Sequence, residues 1–128
     1  MNWISLGAGL GGLSVMLGAF GAHSLKDRLT EQKLATFHTA TDYLGYHALA
    51  LILVGILVLV LGETGANALK KVGIFFTTGI VLFSGSLYAL AFDGPRFFGP
   101  VTPFGGLFFM MGWFTLMVVV AKQLKTKN

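Results

Sequence analysis

The sequence predicts an all-α integral membrane protein, an antiparallel up-down bundle of four transmembrane helices. Three observations carry that reading. Only 11% of the 128 residues are charged, where a soluble domain averages about 25%. Four runs, residues 3–22, 43–62, 72–92 and 103–121, contain no Lys, Arg, Asp or Glu, and each is long enough for a helix rising about 1.5 Å per residue to cross roughly 30 Å of hydrocarbon. A soluble four-helix protein would carry a polar stripe on every helix, and these runs have none. Residues 1–128 read as a single membrane domain without internal repeats.

The first run could be mistaken for a signal peptide, because small residues around Ala19 and Ala22 resemble a cleavage site. It lacks a cationic leading region and is longer than the usual hydrophobic core of a leader, so it reads as a span. Its small residues follow a pattern. Gly7, Gly11, Ser14, Gly18 and Gly21 recur at 4–3–4–3 spacing on one face, where two backbones can approach closely. The face predicts contact with another helix of the same bundle or a seam between two copies.

The second run is preceded by its own helical signal. Thr30 can cap a helix whose first turn holds Glu31 and Gln32, beside the positive end of the dipole. From Leu34 the apolar spacing continues through Phe37, Thr41, Leu44 and Ala48, predicting one helix from about residue 31 to 62. Residues 63–71 and 93–102 read as short connections, which make sequential spans antiparallel neighbours. The fourth span is predicted to start with Thr102 as cap and Pro103 at the first helical position.

The polar residues are distributed unevenly. The topology gathers His23, His38, Asp42, Tyr43, Tyr46, His47, Tyr88 and Thr102 on one membrane side, with Ser84 and Ser86 slightly deeper. An imidazole inside a membrane helix is costly unless paired, so His47 should face the bundle. The expected candidate pocket is His47, Tyr43, Ser84, Ser86 and Tyr88, with His47 meeting Tyr88 or Ser84 across the hairpin. His23, His38, Asp42, Tyr46 and Thr102 form its rim. The pocket reads either as polar glue between helices or as a binding site. Asp42, His47 and Ser84 can be drawn as a catalytic triad, but Asp42 and His47 lie five residues apart, off one helical face, and no nucleophile elbow is present. No catalytic residue is assigned. Two histidines without a CxxCH, HExxH or Glu-x-x-His pattern assign no metal or haem site, and no cofactor is expected. Cysteine is absent, which excludes disulfides and thiol chemistry. The net charge of +4 lies in short polar gaps beside apolar runs, a placement suited to lipid headgroups and not to nucleic acid.

Four ordered motifs resemble a known family: GAFGAH (Gly18 to His23), Tyr-x-x-x-His-x-Leu-Ala (Tyr43 to Ala50), LFSGSLYALA (Leu82 to Ala91), and VTPFGG followed by GW (Val101 to Trp113). Together they resemble the small four-span inner-membrane family of unknown function that includes bacterial YgdD and YwdK, over nearly the whole chain. The resemblance implies a multi-pass protein of the bacterial inner (cell) membrane, with relatives in eukaryotes and no established activity. Asp42 stands where that family more often has Gln or Glu, which argues against a fixed catalytic carboxylate there.

Function is expected to be binding, as an accessory or assembly subunit whose partners are membrane lipids, a second copy or another membrane protein. The alternative is an oligomeric channel or transporter for a small solute. Transporters carry repeats, broken helices or charges at mid-depth, whereas these mid-depths are Leu, Ile, Val, Phe, Gly and Ala. Lys70, Lys71, Lys122, Lys125 and Lys127 lie on the terminal side against Lys26, Arg28, Lys33 and Arg96 on the other. That five-to-four balance predicts both termini in the cytoplasm.

Overall fold

A computed structural model describes residues 2–127, with side chains as far as Lys125; the Lys127 side chain and Asn128, part of the tail weighed for orientation, lie outside it. The elements are α1 (Trp3–His23), α2 (Glu31–Leu61), α3 (Glu63–Gly79), a π-helical turn (Ile80–Ser84), α4 (Gly85–Ala91) and α5 (Phe98–Lys127). α3, the π turn and α4 run on as one third span, so four helical units are long and apolar enough to cross a membrane.

Close approaches settle their directions. Gly7 faces Ala48 and Ile52 while Gly21 faces Phe37, so α1 and α2 are antiparallel. Thr41 meets Tyr88, and His47, further along α2, lies near Phe76. Ser86 meets Thr102, and Phe76 faces Gly112. The expected up-down-up-down bundle is the observed one.

Local signals explain most helix ends. The Asn2 side chain accepts a hydrogen bond from the Ser5 N–H at 3.1 Å, capping α1. Thr30 Oγ1 accepts from the Lys33 N–H at 3.2 Å, and α2 then runs unbroken for 31 residues. The intervening segment is anchored by Leu25, which packs with Phe37 and Ala91. Lys33 pairs with Asp93, tying the start of α2 to the end of α4.

Two boundaries differ from the sequence reading. Residues 63–71 are helix and not a connection: Gly62, at φ 65°, reverses the chain by itself, and α3 starts at Glu63. Gly65, Leu69, Val72, Gly73 and Phe76 are buried at helical spacing across the expected boundary, because hydropathy marks where charges begin and not where a helix stops. α5 likewise starts at Phe98, so Thr102 lies inside the helix and caps nothing. Its hydroxyl donates to the Phe98 carbonyl at 3.3 Å. Pro100 falls in the first turn, where its missing N–H has no intrahelical acceptor. Pro103 falls one turn later, where it removes the bond to the Gly99 carbonyl.

The centre is filled by Leu51, Val54, Leu69, Val72 and Phe76, with Phe109 and Leu116 from α5. α1 is the edge helix. It lies against α2 for most of its length and reaches α3 through Trp3, whose ring occupies the space that a side chain at Gly73 would need.

The glycine face of α1 packs on α2, within the bundle, and its glycines are unequal. An added Cβ at Gly7 would fall 2.6 Å from the Ala48 carbonyl oxygen, and at Gly21 2.8 Å from the Phe37 ring. At Gly11 and Gly18 it would meet only ordinary contacts at 3.9 and 4.0 Å. Gly55 on α2 is as tight as Gly7, with the Ile4 backbone nitrogen 2.8 Å away. Gly7→Ala and Gly55→Ala should therefore each destabilise the bundle by roughly 1–3 kcal/mol, the usual cost of overpacking against backbone. Gly11→Ala should cost less than about 0.5 kcal/mol, since Ala also favours the helix. Unfolding in graded detergent mixtures measures both, and equal losses at Gly7 and Gly11 would contradict the geometry.

Candidate functional site

His47 is buried within the bundle, 4% exposed. Its Nε2 lies 3.0 Å from the Trp113 indole nitrogen and its Nδ1 lies 2.9 Å from the Tyr43 carbonyl oxygen. An indole N–H can only donate, so Nε2 accepts and Nδ1 carries the hydrogen, which it donates to the carbonyl. The pair of bonds thus assigns the neutral Nδ1–H tautomer. Phe109 stacks on the ring at 3.6 Å with a 9° tilt, and Phe76 packs at 5.4 Å. Neither nitrogen is left to bind a metal or to take a proton from a serine.

The side chain that hydrogen-bonds the imidazole comes from α5, not from Tyr88 or Ser84 across the hairpin as the sequence suggested. Tyr88 bonds to Thr41 at 2.7 Å, and Thr41 in turn donates to the Phe37 carbonyl at 3.0 Å. The tyrosine O–H is therefore the donor to Thr41. Ser84 donates to the Ala40 carbonyl at 2.7 Å. Ser86 lies against Thr102 and within 3.0 Å of the Phe83 carbonyl oxygen. Tyr43 takes part through its carbonyl, while its ring packs on Phe83 at 4.6 Å. The five expected pocket residues are thus divided among three contacts: α2 with the third span, the third span with α5, and α2 with α5.

The π turn divides them. A π turn inserts one residue, so everything after it is rotated by about 100° relative to an unbroken α-helix. Ser84, at its end, points to α2 and Ser86 to α5. Unbroken 3.6-residue spacing would put Ser84 and Tyr88 on one stripe with Gly73, Thr77 and Ile80, and the turn interrupts that stripe. Trp113, Phe109 and Thr41 were missed as site residues. Phe109 and Trp113 do stand four apart on α5, the spacing that lets both meet one imidazole.

Of the rim residues, Thr102 joins this network through Ser86, and the other four lie outside it. His23, Asp42 and Tyr46 are exposed, and His38 packs edge-on against Phe37. Asp42 and Tyr46 border a groove of ≈ 570 Å³ between α1 and α2, floored by Gly11, Ser14, Gly18 and Gly45. It exists because Gly11 and Gly18 hold the helices near each other without filling the space between them. Among the described residues no group of three or more His, Cys, Asp or Glu could hold a metal ion.

Residues 17–106 match the family model described as Protein of unknown function (DUF423). The chain is 41% identical over 120 residues to a UPF0382 membrane protein of Staphylococcus epidermidis, covering 94% of this chain and 95% of that one. It is 40% identical over 122 residues to the UPF0382 membrane protein YwdK of Bacillus subtilis, covering 95% and 98%. With the UPF0382 membrane protein SSP2132 of Staphylococcus saprophyticus it shares 42% over 116 residues, covering 91% and 93%. No solved structure matches the chain.

Double-mutant cycles separate the observed pairing from the one spacing suggested. His47→Phe with Trp113→Phe should show a coupling of about 0.6 kcal/mol, the average for hydrogen bonds between membrane helices. His47→Phe with Tyr88→Phe should be additive, because the two side chains share no partner. Unfolding free energies in mixed micelles give both couplings, and the reverse ranking would overturn the assignment.

Proposed function

The chain belongs to the DUF423 family of membrane proteins, whose function is unknown, and we propose that it acts by binding, as an accessory or assembly subunit of the bacterial cell membrane. One observation carries this reading: among the described residues, no buried side-chain nitrogen or oxygen lacks a hydrogen-bond partner. A conducting path or a reaction centre keeps polar groups in reserve for its substrate. Here Thr41, His47, Ser84 and Ser86 are all engaged with groups of the protein itself. The polar network serves as glue between helices, and binding falls to the outer surface.

The α1–α2 groove supports this reading as the surface to test. Its volume lies within the range of ligand clefts, about 300–1,000 Å³. Its glycine floor accepts an acyl chain or a closely packed helix, and Asp42 and Tyr46 supply polar contacts at one end. Both termini are proposed to face the cytoplasm, on the five-to-four balance of Lys and Arg.

Purification in mild detergent, followed by mass spectrometry of co-purifying lipid and protein, tests the binding role. A species retained by the wild type should be lost from Gly18→Leu, which fills the groove at a position with room for a side chain, and kept by His47→Phe. Solute flux in proteoliposomes that persists in Gly18→Leu would favour the channel instead. Orientation is tested separately. The natural chain has no cysteine, so one introduced at Asn128 should resist an impermeant thiol reagent in intact cells, and labelling from outside would reverse the assignment.

A further inference from the structure

Near the terminal side of the membrane, away from the groove, Trp3 divides two crevices. One, of ≈ 240 Å³, runs between Trp3, Ile4, Gly55 and Val58. The other, of ≈ 280 Å³, is lined by Trp3, Val58, Ala66, Ile74 and Lys70. They flank the indole by which α1, the edge helix, reaches α3 at Gly73. The ring is held firmly: a Cβ at Gly73 would fall 2.5 Å from its Cε2 and Cζ2, and the residue is 7% exposed.

The indole N–H makes no hydrogen bond to any described residue, although all buried side-chain nitrogens among them have partners. Both statements hold only if Nε1 opens to the outside, at the edge of a ring that lines both crevices. In hydrocarbon an unpaired N–H costs several kcal/mol, so an acceptor from the bilayer is required there. Lys70 stands one turn nearer the water than Gly73 and makes no ion pair with a described residue. The second crevice is thus an apolar slot walled on one side by the ring that carries the open N–H, with an ammonium at its mouth.

We infer that this crevice binds one anionic phospholipid. Its acyl chain lies along Val58, Ala66 and Ile74, and its phosphate or ester oxygens accept from the Trp3 N–H and pair with Lys70. The preference for a negatively charged headgroup follows from Lys71 beside Lys70, with Glu63 the only acid between residues 63 and 71. Each lysine near an anionic lipid surface adds favourably to binding. A partner helix would offer neither a phosphate at this depth nor a chain thin enough for the slot. The site is independent of the α1–α2 groove, and the two can fail separately.

Tryptophan quenching reads this directly. The chain has two tryptophans, so Trp113→Phe leaves Trp3 as the only emitter, and circular dichroism establishes that the variant keeps its helices. In phosphatidylcholine vesicles, a small mole fraction of phosphatidylglycerol with brominated chains should quench Trp3 more strongly than the same fraction of brominated phosphatidylcholine. Lys70→Ala should reduce the relative affinity for the anionic lipid by about five-fold, the size expected for one lysine at a charged membrane surface. Lys125→Ala, the same loss of charge away from the crevice, should leave it unchanged. With otherwise wild-type protein, native mass spectrometry should find less phosphatidylglycerol retained by Trp3→Phe, which keeps the ring bulk and deletes the donor. Equal quenching by the two lipids, an unaltered preference in Lys70→Ala, or an equal loss in Lys125→Ala would each overturn the site.

Discussion

A polar group at hydrocarbon depth in a membrane bundle must find its partner in the protein, and among the described residues every buried side-chain nitrogen and oxygen does. That constraint dictates how the helices are joined. The Thr41–Tyr88 and Ser84–Ala40 bonds join α2 to the third span, Ser86–Thr102 joins the third span to α5, and His47–Trp113 joins α2 to α5. Each bond contributes only about 0.6 kcal/mol on average, because the unfolded chain in a membrane also finds partners. They therefore add little to total stability. What they supply is register: sliding one helix past another by a turn would leave a hydroxyl or an imidazole facing hydrocarbon.

Stability comes from shape, and the shape is built by seating aromatic rings in glycine notches. Trp3 fills the notch at Gly73, Phe109 the notch at Gly79, Phe76 the notch at Gly112, and Phe37 the notch at Gly21. In lipid the hydrophobic effect does not drive helices together, so close dispersion contact must do so, and a ring against bare backbone maximises it. The same seating explains why His47 tolerates its depth. Phe76 and Phe109 are both held by glycines, and they present fixed walls between which the imidazole is stacked.

Much of the architecture was legible in the sequence, for physical reasons that also mark the limit. Charge-free runs report on transfer to lipid, so the four spans could be found; a Thr before Glu-Gln reports a helix start, so α2 could be traced from Glu31. The ends of α3 and α5 could not, since Lys70, Lys71, Pro100 and Pro103 sit inside helices that hydropathy and proline rules would stop. In the candidate site, the burial of His47 followed from the cost of an imidazole in hydrocarbon, but its partner did not. Periodicity assumes 3.6 residues per turn, and the π turn at Ile80–Ser84 breaks that assumption where Ser84, Ser86 and Tyr88 were being placed. Trp113, 43% exposed, sits in a charge-free run that gives no sign that its N–H reaches His47 and its ring packs on Phe76.

The open features of the molecule share one origin. α2, the third span and α5 pack on one another around the buried network, whereas α1 rests mainly on α2, with Trp3 reaching α3 at Gly73. A helix held on one face leaves clefts along its flanks: the groove beside Gly11 and Gly18, and the crevices beside Trp3. α1 also carries Gly9 and Gly12 outward, with nothing within 4 Å of where their side chains would be. Glycine in a helix costs about 1 kcal/mol relative to alanine, and the packing of this chain recovers none of that at these two positions. The three-helix core is therefore the closed part of the protein, and α1 is the part whose surroundings, lipid or protein, contribute to how it is held.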